Sequence, residues 1–262
     1  MTTWVLLRGL AREARHWGEF PAMLQAAVGP AHRVLTPDLP GNGMRRHDRS
    51  PLQVGAMVDA LRGDLHAQGI EGPVRIVALS MGGMVAAQWS ASHPAEVEGC
   101  VLVNSSFGGL SPFWHRMRPP AWGVLLRAVA ARDAADAQAR ILALTCNAPQ
   151  AHRVAAWAAL AREAPTSRAN ALRQLAAAAR FRAPRAAPPV PLLLVAGERD
   201  RLVSVRCSQA IARAWGAPLR THPWAGHDLA LDDPAWLVAE CLAWSMARAS
   251  TGAQNGRQLL LP

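Results

Sequence analysis

The sequence predicts an α/β fold, a doubly wound and mainly parallel sheet in one domain with a helical insertion. Three observations carry that expectation. Short apolar runs alternate with helix-like segments through residue 110 and again from residue 187. Between them, 111–186 has no convincing strand, only Ala-, Arg- and Leu-rich helical pattern. One further stretch, VRIVALSMGGMVAAQW (Val74–Trp89), reads as a strand, a sharp turn and a helix with a serine at the corner.

The elements follow in order. Trp4–Leu7, Arg33–Thr36, Val74–Leu79 and Val97–Val103 are short apolar or β-branched runs and are expected as strands. Trp17–Val28, Leu52–Gln68 and Met81–His93 have helical spacing between them. Pro112, Pro119 and Pro120 mark the entrance to the insertion, and Pro184, Pro188 and Pro189 its exit. Beyond it, strands at Pro191–Ala196 and Leu219–His222 alternate with helices at Val205–Trp215 and Pro234–Met246. The organisation is thus a core of 1–110 and 187–248, a lid of 111–186, and a tail of 249–262 expected to fray.

Composition narrows the function classes. A chain of 262 residues can bury one large core. No apolar run approaches the ~18–20 residues of a membrane span, and the start MTTWVLLRGL lacks the basic region and cleavage site of a signal segment. A cytoplasmic protein is expected. All 28 basic residues are Arg, and the formal charge is +10. Twelve of those arginines fall in 111–186 against only Asp133, Asp136 and Glu163, so most of the excess sits on the lid. No basic strip interleaved with aromatics is present, and nucleic-acid binding is not expected. Cys100, Cys146, Cys207 and Cys241 are scattered and read as reduced thiols, while His16, His32 and His47 form no ligand-spaced cluster. Neither a metal nor a cofactor is expected.

Functional groups of a doubly wound sheet gather at the C-terminal ends of its strands. Ser80 stands there after the third strand, Asp200 in AGERDRLV, His227 in PWAGHDLALDDP, and Arg8-Gly9-Leu10 after the first. A serine hydroxyl is a poor nucleophile until an imidazole takes its proton, and a carboxylate holds that imidazole in the useful tautomer. His222 competes with His227 but falls on a strand and reads as structural. Asp228, Asp232 and Asp233 read as surface charges and helix caps, Asp38 as a turn residue and Trp17 as core. Phe107, Phe113, Trp114 and Met117, where the sheet hands over to the insertion, are candidate pocket walls.

VLLRG, TPDLPGNG, ALSMGG, GERDRLV and AGH, in that order, resemble the α/β-hydrolase fold family. The resemblance implies a nucleophile at Ser80, an acid at Asp200 and a histidine base at His227. It also implies an oxyanion hole from the backbone N–H groups of Leu10 and Met81. Ala78 stands where the elbow pattern G-x-S-x-G has its first glycine, while Gly82 keeps the second. Arg8 replaces the histidine usual in the oxyanion loop and could contact an anionic substrate group. The chain starts at the oxyanion strand without the family's N-terminal hairpin, so about six strands are expected. The basic lid resembles that of the biotin-pathway esterases acting on pimeloyl-[acyl-carrier protein] methyl esters. That likeness implies docking of acyl carrier protein at Arg140, Arg153 and Arg162. The expected activity is serine carboxylic-ester hydrolysis of a small-molecule ester. Thioester hydrolysis, C–C cleavage or elimination on the same triad, and a non-catalytic small-molecule receptor are the alternatives.

Overall fold

A computed structural model describes residues 2–148 and 150–258, with side chains through residue 247. Six strands form one sheet: β1 (Thr3–Leu7), β2 (Arg33–Leu35), β3 (Val74–Leu79), β4 (Val97–Val103), β5 (Leu192–Gly197) and β6 (Leu219–His222). Their order is β2-β1-β3-β4-β5-β6, and every neighbouring pair is parallel. The expected fold class and strand number are therefore observed.

The period-two rule of a strand divides the core into two layers. Val5 and Leu7 of β1, Ile76 and Ala78 of β3, and Cys100 and Leu102 of β4 pack on one face. They meet Met57, Leu61 and Leu65 of α2 (Val54–Ala67), Val85 and Trp89 of α3 (Met81–Ser92), and Ile211 of α9 (Val205–Trp215). Trp4 and Leu6, Val77 and Leu79, and Val101 and Val103 point the other way. There they meet Phe20 and Leu24 of α1 (Phe20–Val28) and Leu237 and Cys241 of α11 (Pro234–Gln258). With both faces covered, the strands read as continuous apolar runs.

Among the described residues five helices lie between β4 and β5: α4 (Phe113–Arg116), α5 (Pro119–Val129), α6 (Ala134–Thr145), α7 (Ala151–Glu163) and α8 (Arg168–Arg180). The N–H of Gly108 donates to the Phe181 carbonyl at 3.2 Å, and that of Ala183 to the Gly108 carbonyl at 3.0 Å, clasping the two ends of this segment. Leu142, Cys146 and Trp157 pack on Leu231 of α10 (Leu229–Asp232), seating the helices over the C-terminal edge of the sheet. The expected tail of 249–262 falls partly on α11, whose backbone is helical to Gln258, and partly outside the described residues. Among the described residues no helix is long and apolar enough to cross a membrane.

The turn between β3 and α3 requires close approach. A Cβ at position 82 would overlap the Leu7 carbonyl oxygen and lie 2.8 Å from that of Arg8. Those are backbone atoms at the end of β1 and just after it, and they cannot swing aside. Gly82→Ala is therefore expected to lose about 1–3 kcal/mol, the usual range for overpacking a well-packed site. Urea unfolding checks this, and a variant within about 0.5 kcal/mol of wild type contradicts it, well under that overpacking range.

Candidate active site

Ser80 connects β3 to α3 with φ 58° and ψ −117°, a conformation that costs a non-glycine residue energy. Its neighbours impose it. The Ser80 N–H donates to the Val103 carbonyl of β4 at 2.9 Å, while Ser105 Oγ and the Gly83 N–H each donate to the Ser80 carbonyl at 3.0 Å. Ala78 is fully buried two residues earlier. From the end of β1, Gly9 closes on the serine so tightly that a Cβ there would lie 3.0 Å from Ser80 Cβ. Met81 opens α3, where the first N–H groups have no partner within the helix.

Asp200 and His227 meet across the ends of β5 and β6. Asp200 is 1% exposed, and its Oδ1 accepts the N–H groups of Leu202 (2.7 Å) and Val203 (2.8 Å). Its Oδ2 lies 2.7 Å from Nδ1 of His227. An ionised carboxylate only accepts, so a neutral His227 carries its proton on Nδ1 and keeps Nε2 as an acceptor. Asn104 positions this pair, although the sequence reading missed it. Its Nδ2 donates to the carbonyls of Gly226 (3.0 Å) and His227 (2.8 Å), and its Oδ1 accepts the Gly197 N–H at 2.9 Å. An asparagine directly after the apolar run VEGCVLV was its only signal in the sequence.

Ser80, His227, Leu10 and Met81 all line one cavity of about 520 Å³ beneath the insertion. Met84, Trp122, Leu125, Ile141, Leu160 and Leu175 give it a mostly apolar wall. Phe113 and Met117 also lie on the wall. Phe107 does not: it is fully buried in the core against Phe181 and Trp215. Trp114 is half-exposed against Phe113, outside the lining. His222, as expected, is structural, with Nε2 3.2 Å from Asp233 and Nδ1 accepting the Ala225 N–H.

Two of the supposed surface acids are buried. Asp232 accepts the N–H groups of Asn147, Ala148 and Gly226, and burial raises its carboxyl above the ordinary range. Asp228 takes both terminal nitrogens of Arg8, at 3.0 and 2.5 Å, with both side chains about 5% exposed or less. Arg8 also lies over the Trp17 ring, 4.8 Å from its centroid, so its fork is occupied although it lines the cavity. The pattern of single residues gave no sign of a pairing across 220 positions.

The cavity also holds two residues that the sequence reading passed over as site groups, Arg12 and His16. Burial first, then the charges of Arg12 and Arg8, push the His16 imidazole down to about 2, so it is neutral. The cysteines lie elsewhere in chemistry: burial raises Cys100 to about 12 and Cys207 to about 11, leaving unreactive thiols. Among the described residues no three His, Cys, Asp or Glu side chains converge as a metal-holding group. Of the arginines on the insertion, Arg140 pairs with Asp136 at 2.9 Å, Arg153 reaches to 4.0 Å of Glu19, and Arg162 is exposed.

Arg8→Met would leave Asp228 buried without its partner, and a loss of about 3–5 kcal/mol is expected in denaturant unfolding. Replacing both, as Arg8→Met with Asp228→Leu, should recover much of it. A single variant as stable as wild type contradicts the assignment.

A sequence model of the alpha/beta hydrolase family matches residues 4–240. A 2-hydroxy-6-oxononadienedioate/2-hydroxy-6-oxononatrienedioate hydrolase of Pseudomonas putida is 33% identical over 116 residues, 42% of this chain and 39% of that protein. The matched stretch spans less than half the length of such curated relatives. Among solved structures, an esterase from Thermogutta terrifontis superposes with TM-score 0.74 at 19% identity, covering 94% of this chain and 90% of that one. The enol-lactonase from Burkholderia xenovorans LB400 gives 0.73 at 20% identity, covering 94% and 91%. At such identities the superpositions speak for the fold. The family match spans nearly all of the core and the insertion, and the chain belongs to the alpha/beta hydrolase family.

Proposed function

We propose that this protein is a serine hydrolase of carboxylic esters, working through an acyl-enzyme on Ser80. The observation that carries the reading is the shared cavity. A serine held at positive φ between the ends of β1 and β4 and a histidine bonded to a buried aspartate open onto the same apolar space.

In this mechanism the acyl chain lies along the apolar wall, under a lid formed by 111–186. Ser80 Oγ attacks the ester carbonyl as Nε2 of His227 takes the hydroxyl proton. Asp200 holds Nδ1 and stabilises the imidazolium that forms. The negative charge developing on the carbonyl oxygen is met by the N–H groups of Leu10 and Met81. The C–O bond breaks, and the alcohol departs with the proton from His227. Water then enters, gives a proton to Nε2, attacks the acyl carbon and frees the acid, returning the proton to Ser80.

A second reading places the same groups on a ketone, so that a C–C bond breaks instead. The Pseudomonas putida relative favours it, because its substrate name carries an oxo group at carbon 6. The finer substrate reading, a methyl ester on an acyl group carried by acyl carrier protein, draws support only from the charge of the lid. Arg140, Arg153 and Arg162 are its proposed contacts.

Hydrolysis of p-nitrophenyl acetate through octanoate by wild type beside Ser80→Ala tests the main reading. The variant is expected to fall by about 10⁴–10⁶, the cost of removing such a nucleophile. A variant that keeps a tenth of the wild-type rate overturns it.

A further inference from the structure

Four side chains on the cavity wall carry fixed charge in the region of the oxyanion loop, namely Arg8, Arg12, Glu13 and Asp228. Three of them are matched. Asp228 chelates Arg8, and Glu13 accepts from Nε of Arg15 at 2.7 Å. Arg12 is the one left over. Its Nη1 donates to the neutral Oε1 of Gln138 at 3.1 Å, and its guanidinium carbon lies 4.6 Å from the centre of the Trp157 ring. Neither partner carries a charge. Burial, with Arg8 adding to it and Asp228 opposing it, draws the Arg12 guanidinium down to about 10.

His16 makes the deficit directional. The Glu13 N–H donates to Nδ1 of His16 at 3.1 Å, so that nitrogen carries no proton. A neutral imidazole must then bear its hydrogen on Nε2. Yet Nε2 lies 3.5 Å from Nη1 of Arg12, itself a donor. Two N–H donors of the cavity wall therefore stand 3.5 Å apart, and of the two Nη1 has the amide oxygen of Gln138 as its acceptor. Trp157, edge-on to His16 at 4.6 Å and beneath Arg12, fixes both groups there.

We propose that Arg12 and the Nε2–H of His16 form a carboxylate-binding corner, which selects substrates bearing a free carboxylate away from the ester. This rests on the reading of the cavity as the substrate site. One formal positive charge beside a neutral donor suits a monoanion, and a guanidinium fork matches the two oxygens of a carboxylate. Arg116, which also lines the cavity, donates from Nη2 to the Ala178 carbonyl at 2.6 Å and serves as the comparison.

Binding to Ser80→Ala protein tests the proposal without requiring turnover. Calorimetric affinities are measured for the monomethyl half-esters of succinate through suberate, each against the methyl ester of the matching monocarboxylic acid. At the length that reaches the corner, the half-ester is expected to bind about 10- to 100-fold tighter, the size of a hydrogen bond to a charged group. Adding Arg12→Gln should bring that preference within about threefold, as expected when the charged partner of such a bond is lost. Arg12→Lys, which keeps the charge without the fork, should fall between, and this covers a glutamine variant that does not fold. Equal affinities at every length overturn the proposal. So does a preference that survives Arg12→Gln, or one that falls with Arg116→Gln instead. Because Ser80 is absent throughout, failure here is separate from failure of the esterase reading, which the p-nitrophenyl assay decides.

Discussion

The turn at Ser80, which ends β3, persists because the ends of β1 and β4 and the start of α3 close on it together. β4 accepts its N–H through Val103, the loop after β1 presses on its side chain through Gly9, and α3 can start only where Gly82 lets it lie against the Leu7 and Arg8 carbonyls. Each contact needs the others. The parallel order β1-β3-β4 brings these ends to one edge of the sheet, so the strain at one residue is borne by the whole central core. Asn104 extends the same lattice to β5 and the histidine loop, which fixes where His227 can stand relative to the turn.

Charge is arranged on this frame with little waste. Arg8 and Asp228 tie the loop after β1 to the loop after β6, and the buried pair is matched by a bidentate geometry rather than by solvent. Asp200 is satisfied by two backbone N–H groups and His227. Against that background Arg12 stands apart, bonded to the amide of Gln138 and stacked on Trp157 where Arg8 has a carboxylate.

Much of this was legible in the sequence because its signals were local. The apolar run ending at Ser80 and the two glycines after it specify the strand, the turn and the helix within sixteen residues. The strands Val74–Leu79, Val97–Val103 and Leu219–His222 fall where their β-branched or apolar runs place them. What escaped depended on partners remote in the chain. Asp228 looks like a surface acid until Arg8 is beside it, and Phe107 looks like a pocket wall until Phe181 and Trp215 enclose it. Arg12 could not be told from 27 other arginines without the cavity and the tautomer of His16. Their places after strands brought Ser80, Asp200 and His227 together as candidates, and the likeness of the motifs to a known family gave each its role.

The central claim is that the hydroxyl of Ser80 is activated by its surroundings. Covalent labelling with diethyl p-nitrophenyl phosphate, followed by peptide mass mapping, reads that activation directly and needs no knowledge of the natural substrate. The account predicts a single adduct, on Ser80, formed in the folded protein and abolished by unfolding it. An intact folded protein that stays unlabelled, or carries its adduct on another residue, would contradict it.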